Sequence, residues 1–342
     1  MLKNKNFFFR INFDEKIGFG HLARSLKIAD KLNYPSYFIV DINRNYSFTN
    51  KINHSFNYLY NSKFTFNEIE DAKRVYNIIK KKTNPILFID DYRIGNKWLN
   101  FFKKKKIKII ILDDLLDRKF NCDIYINYKL DTSEEHKNKL DYLINKNARK
   151  ILGPKFSIID KSLKKKKSRD LNIMFNFGNS FNYESITDQI KKLYINTKKI
   201  NKKINFIIPI GYGATNYKKL LTFSRGKKQF NIILKKFGIV QYLNKTDLFF
   251  GSASNAIYEM SFLKTPSVFF VCNKNQKYNI FDIEKLGHYF LLDIKDLTSK
   301  NFLIFFKGCL KNLSKIQKLY KKNIYKIDNK GTDRIVKILN RI

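Results

Sequence analysis

Short, nearly uninterrupted apolar runs recur along this chain, and most are followed by a segment whose apolar residues return every three or four positions. Phe7–Asn12, Tyr37–Asp41, Ile86–Ile89, Ile107–Leu112 and Ile124–Ile126 are runs of this kind. Between the first two, His21–Leu32 carries Leu22, Leu26 and Ala29 on one helical face. Runs this short and this apolar suit parallel strands covered on both sides by helices. The pattern breaks at Leu152–Arg169, which holds Gly153-Pro154 and the lysine run Lys164–Lys167. It then restarts with runs at Ile173–Phe177, Ile204–Ile208, Leu248–Phe250, Ser267–Val271 and His288–Leu292. Helical periods follow through Ile186, Ile190 and Leu193, and again through Glu259. The expectation is an α/β chain of two Rossmann-like domains facing across a cleft, residues 1–160 and 170–325, with a C-terminal helix over 326–342. Ligands of such sheets sit at the carboxyl ends of the strands.

A length of 342 residues with 44% hydrophobic content supports two packed cores. The formal net charge of +39 invites a nucleic-acid partner, but the excess is almost all lysine and accompanies abundant Asn, Ile, Phe and Tyr. That joint enrichment reads as compositional bias spread over a solvated surface, whereas nucleic-acid faces favour arginine forks. No nucleic-acid partner is expected, only mild attraction for an anionic substrate. Cys122, Cys272 and Cys309 are too few and too scattered for a disulfide framework, and His21, His54, His136 and His288 show no metal spacing. Met1–Arg10 lacks the apolar core of a signal peptide, and no stretch reaches the ~18 apolar residues of a membrane span. A cytoplasmic location is expected.

Two loops stand where chemistry would. Gly18-Phe19-Gly20-His21 joins the first strand to the first helix. Glycines there permit a tight turn and close ligand approach, and the helix amino end favours an anion. His21 has the ring chemistry of a general base, although a plain βα turn also accounts for the sequence. Arg24, one turn on, suits a phosphate or simply solvent. In the second half, Gly251-Ser252-Ala253-Ser254-Asn255 offers backbone N–H groups and the hydroxyls of Ser252 and Ser254 to a phosphate. Glu259, on the next helix, suits ribose hydroxyls or solvent. Asn273, Asn275 and Gln276 supply amides for a sugar or merely form a polar loop. Asp90-Asp91 and Asp113-Asp114 end strands without a third nearby metal ligand, so one member of each pair is expected to bond a neighbouring loop.

Gly18-Phe19-Gly20-His21-Leu22-Ala23-Arg24 resembles the GxGHxxR loop of the pseudaminic acid hydrolases (PseG/SpsG family), which cleave UDP-2,4-diacetamido-2,4,6-trideoxy-β-L-altropyranose to UDP and free sugar. Arg10-Ile11-Asn12, Asp90-Asp91-Tyr92, Asp113-Asp114, Leu152-Gly153-Pro154-Lys155-Phe156, Asp247–Asn255, Glu259, Pro266 and Asn275-Gln276 follow in the family's order. The resemblance implies a GT-B-like fold, a UDP-linked sugar as substrate, and neither metal nor cofactor. It makes His21 the base that deprotonates an attacking water. Tyr92 and Asn275 would face the sugar and that water, while the main chain at Ile239 would pair with uracil. Asn12, Gly18, Gly20, Arg24, Asp91, Gly251, Ser252, Ser254, Asn255, Glu259 and Gln276 would bind the substrate, with the Gly251–Asn255 amides stabilising the departing UDP. The chain departs from the family at Asn12, at Gly178-Asn179-Ser180 and at Ser252-Ala253-Ser254, where Asp, Gly-Gly-x-Asp and glycine are usual. A glycosyltransferase of the same architecture is the alternative, distinguished by its need for an acceptor.

Overall fold

The computed structural model describes all residues except 1–4, 43–51, 199, 201–202, 237, 274–275, 278–279 and 321–323. The chain divides into two compact units, one of Met1–Phe13, Phe19–Ile158 and Lys330–Ile342, the other of Asp14–Gly18 and Ile159–Asn329.

In the first unit the order is β1 (Asn6–Ile11), α1 (Gly20–Ala29), β2 (Ser36–Ile42), β3 (Ser55–Tyr60), α2 (Glu68–Ile79), β4 (Pro85–Asp90), α3 (Asn96–Lys103), β5 (Lys108–Leu112), β6 (Ile124–Asn127), α4 (Glu134–Leu143) and β7 (Arg149–Leu152). The strands form one parallel seven-stranded sheet in the order β3-β2-β1-β4-β5-β6-β7. Every residue of β1 is buried, as its uninterrupted Asn-Phe-Phe-Phe-Arg-Ile requires of a strand with helices on both faces. Phe9 packs between its neighbours' rings, 5.0 Å from Phe38 and 4.8 Å from Phe88. On the other face Phe8 joins Trp98, Phe102, Ile89 of β4 and Ile109 and Ile111 of β5 in one core.

The second unit holds β8 (Leu171–Asn176), α5 (Thr187–Thr197), β9 (Ile204–Ile210), α6 (Lys218–Ser224), β10 (Phe230–Leu234), α7 (Val240–Leu243), β11 (Leu248–Ser252), α8 (Ala256–Leu263), β12 (Ser267–Val271), α9 (Ile280–Glu284), β13 (Phe290–Asp293), α10 (Phe302–Lys311) and α11 (Leu313–Leu319). Its strands form a parallel six-stranded sheet, β10-β9-β8-β11-β12-β13. Phe175 of β8 stacks on Phe250 of β11 at 5.1 Å, and Phe270, Phe302 and Phe306 extend that core. A last helix, α12 (Gly331–Leu339), belongs to the first unit, where it packs on the turn Pro154–Phe156.

Two parallel α/β sheets are what the periodicity predicts. Three strands escape it, namely β3, β7 and β10, and each lies at the edge of its sheet. An edge strand packs less completely, so β3 (Ser-Phe-Asn-Tyr-Leu-Tyr) keeps only Leu59 fully inside and carries no apolar run. One boundary also moves: the strand expected to end at Phe250 continues through Gly251 and Ser252. In both sheets chain order reverses beside the first strand, between β1 and β4 and between β8 and β11, and the crevice outside such a reversal is where open α/β sheets bind ligands.

Candidate active site

The carboxyl ends of β1 and β4 deliver the first cluster. β4 ends at Asp90, which is completely buried and meets three side chains of α1, those of His21, Arg24 and, at 3.4 Å, Ser25. His21 places Nδ1 2.5 Å from Asp90 Oδ1. Arg24, one turn further along α1, grips the same carboxylate with both arms, Nε to Oδ2 at 2.7 Å and Nη2 to Oδ1 at 2.5 Å. Arg24 Nη2 also lies 3.3 Å from His21 Nδ1, but its shorter bond goes to Asp90. Nδ1 therefore carries its proton toward the carboxylate, and a neutral ring in that tautomer holds its lone pair on Nε2. Among the described residues Nε2 has no hydrogen-bond partner.

Burial pushes the Asp90 carboxyl up, yet the charges and hydrogen bonds of Arg24 and His21 outweigh it and hold the group down at about 2. Burial likewise opposes the Arg24 charge, and Asp90 and Asp114 overcome it and raise that guanidinium. Asp90 is thus a permanent anion, suited to steadying an imidazolium beside it.

Tyr92 closes the other side of the imidazole, edge to face with His21 at 4.6 Å between centroids. Its hydroxyl donates to Asp114 Oδ1 at 2.5 Å, and burial followed by the Asp114 charge raises the phenol far above its ordinary value. Asp114 also lies 3.5 Å from Arg24, which reaches Tyr128 Oη at 3.4 Å. His21, Arg24 and Tyr92 were legible as candidates; Asp90, Asp114 and Tyr128 complete their surroundings and were not. The strand-end carboxylate pairs were the available signal.

Asp91 points elsewhere. Its carboxylate takes Arg93 Nε at 2.9 Å and Nη2 at 2.6 Å, and lies 3.8 Å from the fully buried Arg10. Arg10 in turn bonds Asp71 and, at 2.5 Å, Asp41. This second ionic network braces the sheet from within. One member of each acidic pair does serve its own loop: Asp91 accepts from Arg93 N, and Asp113 from Leu115 N and Leu116 N. Asn12 follows β1 and is buried. Gly20 opens α1 with no atom within 4 Å of where a Cβ would sit, and α1 has no side-chain cap and no acidic residue in its first turn. Gly18 has φ of +96°, a conformation only glycine adopts without strain, and groups by its contacts with the second unit.

The second cluster lies where β11 gives way to α8. Gly251 belongs to the strand, and a Cβ on it would stand 2.2 Å from Asn176 O, so this glycine serves sheet packing rather than a phosphate turn. The expected row of uncommitted amides is also shorter. Ala253 N–H donates to Phe270 O at 2.9 Å and Ser254 N–H to Ser252 O at 2.8 Å. The hydroxyls of Ser252 and Ser254 are 3.4 Å apart, and Asn255 Nδ2 donates to Glu259 Oε1 at 3.3 Å. These four side chains sit together around the first turn of α8, which has no side-chain cap. Gln276 is buried and accepts Cys272 N–H at 3.1 Å, tying its loop to β12. Ile239 opens α7, and its carbonyl accepts from Tyr242 N and Leu243 N. Asn275 lies outside the described residues.

Among the described residues no group of three or more His, Cys, Asp and Glu is placed to hold a metal ion, and no helix is long and apolar enough to cross a membrane.

No family model and no curated protein matches this chain in sequence. Solved structures match it over nearly its whole length. The MurG of Acinetobacter baumannii is 12% identical, with 99% of this chain and 100% of that one covered and a TM-score of 0.67. A co-structure of Staphylococcus aureus MnaA with UDP is 10% identical, with 99% and 98% covered and a TM-score of 0.61. The UDP-GlcNAc 2-epimerase of Neisseria meningitidis bound to UDP-GlcNAc is 10% identical, with 98% and 100% covered and a TM-score of 0.59. The fold is GT-B-like, as the sequence predicts.

Proposed function

We propose that this chain hydrolyses a nucleotide-linked sugar, with His21 as the base that activates water. The observation carrying this reading is the 2.5 Å bond from His21 Nδ1 to a carboxylate locked by Arg24, which directs the lone pair to Nε2. Nε2 takes a proton from water as the water oxygen bonds the anomeric carbon. The bond from that carbon to the diphosphate oxygen breaks, and the nucleotide leaves with the electron pair. Asp90 stabilises the imidazolium until its proton passes to solvent. Water enters opposite the leaving group, giving inversion as in single-displacement glycoside hydrolysis.

UDP is the nucleotide of choice because structures of this fold hold UDP or UDP-GlcNAc. The first turn of α8, with Ser252, Ser254 and Asn255, would receive the diphosphate, and Glu259 the ribose. Asn12, Gly18, Gly20, Tyr92 and Asn275 would bound the sugar, and Ile239 and Gln276 the nucleotide. The Gly18–Arg24 loop and its ordered companions make a diacetamido-trideoxy sugar of pseudaminic acid biosynthesis the preferred substrate. Full-length similarity to the structure of a glycosyltransferase from Rickettsia africae supports a second reading, transfer of the sugar to an acceptor.

The purified chain is expected to release UDP from one member of a UDP-sugar panel with no acceptor added, and His21→Ala to abolish release while keeping the wild-type circular dichroism. Release that requires an acceptor would establish transfer instead, and undiminished release by the variant would exclude His21 as the base.

A further inference from the structure

We infer that the first unit carries a second anion site, for a small phosphate-bearing ligand, at the amino ends of its central strands, away from Asp90 at the carboxyl end of β4. A cavity of about 460 Å³ opens there, lined by Lys5, Lys80, Lys82, Lys105, Lys106 and Lys108 over a floor of Pro85, Ile86 and Ile107. These residues precede or open β1, β4 and β5, three adjacent strands of the sheet, so the topology gathers cations from three chain segments around one opening. The five steps of β4 from Pro85 to Asp90 separate this end from Asp90 by about 17 Å at roughly 3.3 Å per residue.

Lysine is common in this chain, so its presence alone means little; the arrangement is what singles out this cavity. Some exposed lysines elsewhere meet carboxylates, as Lys73 meets Glu70 and Lys191 meets Asp188, whereas this cavity gathers six from three chain segments around one opening. Among the described residues none of the six around the cavity is paired with a carboxylate. Aromatic rings hold four of them instead. Lys105 lies 4.2 Å over Tyr76, which also carries Lys80 at 6.0 Å, while Lys82 lies over Tyr37 and Lys5 over Tyr34. Attraction to the carboxyl pole of α2 accounts for Lys80, its capping residue, but not for Lys5 or Lys108, which lead into strands. Six ammonium groups around one opening over an apolar floor give it a positive field that a bound anion would relieve. The volume is that of a small-molecule pocket.

Tripolyphosphate is a suitable probe, and per-lysine acetylation of the full-length chain, read by mass spectrometry at constant ionic strength, locates its binding. Saturable slowing of Lys80, Lys105 and Lys108 by several fold, with Lys315 and Lys318 of α11 unaffected, is the expected result. Lys105→Gln with Lys108→Gln should raise the half-saturating concentration about tenfold, the worth of about 1.4 kcal/mol. No protection, equal slowing of every lysine, or protection only by phosphatidylglycerol vesicles would each overturn the proposal. The readout is confined to named lysines, so it does not depend on whether the chain hydrolyses a nucleotide-sugar.

Discussion

A carboxylate sealed from water is costly unless its charge is met, and Asp90 meets an imidazole and a guanidinium at once. Asp90→Asn should therefore act twice. It leaves Arg24 buried without its anion, lowering stability by about 3 kcal/mol in urea unfolding. It also releases His21 to its other tautomer, so UDP release should fall by about 10²-fold, with Nε2–H appearing in nitrogen-detected NMR of the ring. The sign of the pH effect follows from the depressed carboxyl. Its contribution to stability is complete above the unfolded value near 4 and is lost as pH falls toward 2. Asp113 is the opposite case. Burial pushes its carboxyl up to about 6, against the pull of Arg118, so its ionisation weakens the fold as pH rises from about 4 through 6. Asp113→Asn should gain about 3 kcal/mol on the wild type between pH 4 and pH 7, the worth of a shift of about two pKa units, in parallel urea titrations. Neither role was legible in the sequence. Successive strand residues face opposite sides of a sheet, so which carboxylate of Asp90-Asp91 meets α1 depends on strand face, and face is set by packing.

Elements buried on both faces announced themselves, because β1, β4, β5, β8 and β12 carry apolar runs along most of their length. Edge strands did not. In β10, Phe-Asn-Ile-Ile-Leu, only Phe230 is fully buried, so helix, strand and loop read alike there. Glycine was ambiguous for a related reason: the residue that admits a phosphate also admits a neighbouring strand. Two substitutions separate these uses. Gly251→Ala puts a methyl 2.2 Å from Asn176 O and should cost about 1–3 kcal/mol of thermal stability by overpacking β11 on β8. Gly20→Ala meets nothing within 4 Å and should leave stability equal or higher by about 0.5 kcal/mol. A loss of UDP release in that second variant would place the amino end of α1 against the substrate. An unaltered KM and kcat would remove Gly20 from the sugar site.

Across the molecule the surplus of cations imposes a long-range field that no single residue controls. With a formal charge of +39, the chain should capture a nucleotide diphosphate faster at low salt, and kcat/KM should drop several-fold from about 20 mM to about 200 mM potassium chloride. A rate insensitive to salt would leave the charge without a part in substrate capture. The fold class followed from periodicity because each sheet needs its own core, and the two cores are built from separate aromatic sets. What periodicity leaves open is the bond that breaks, and water carrying oxygen-18 answers that question directly. Attack by water at the anomeric carbon, with His21 as base, predicts one heavy oxygen in the released sugar and none in UDP. Heavy oxygen in the UDP phosphate would mean attack at phosphorus and would contradict the account.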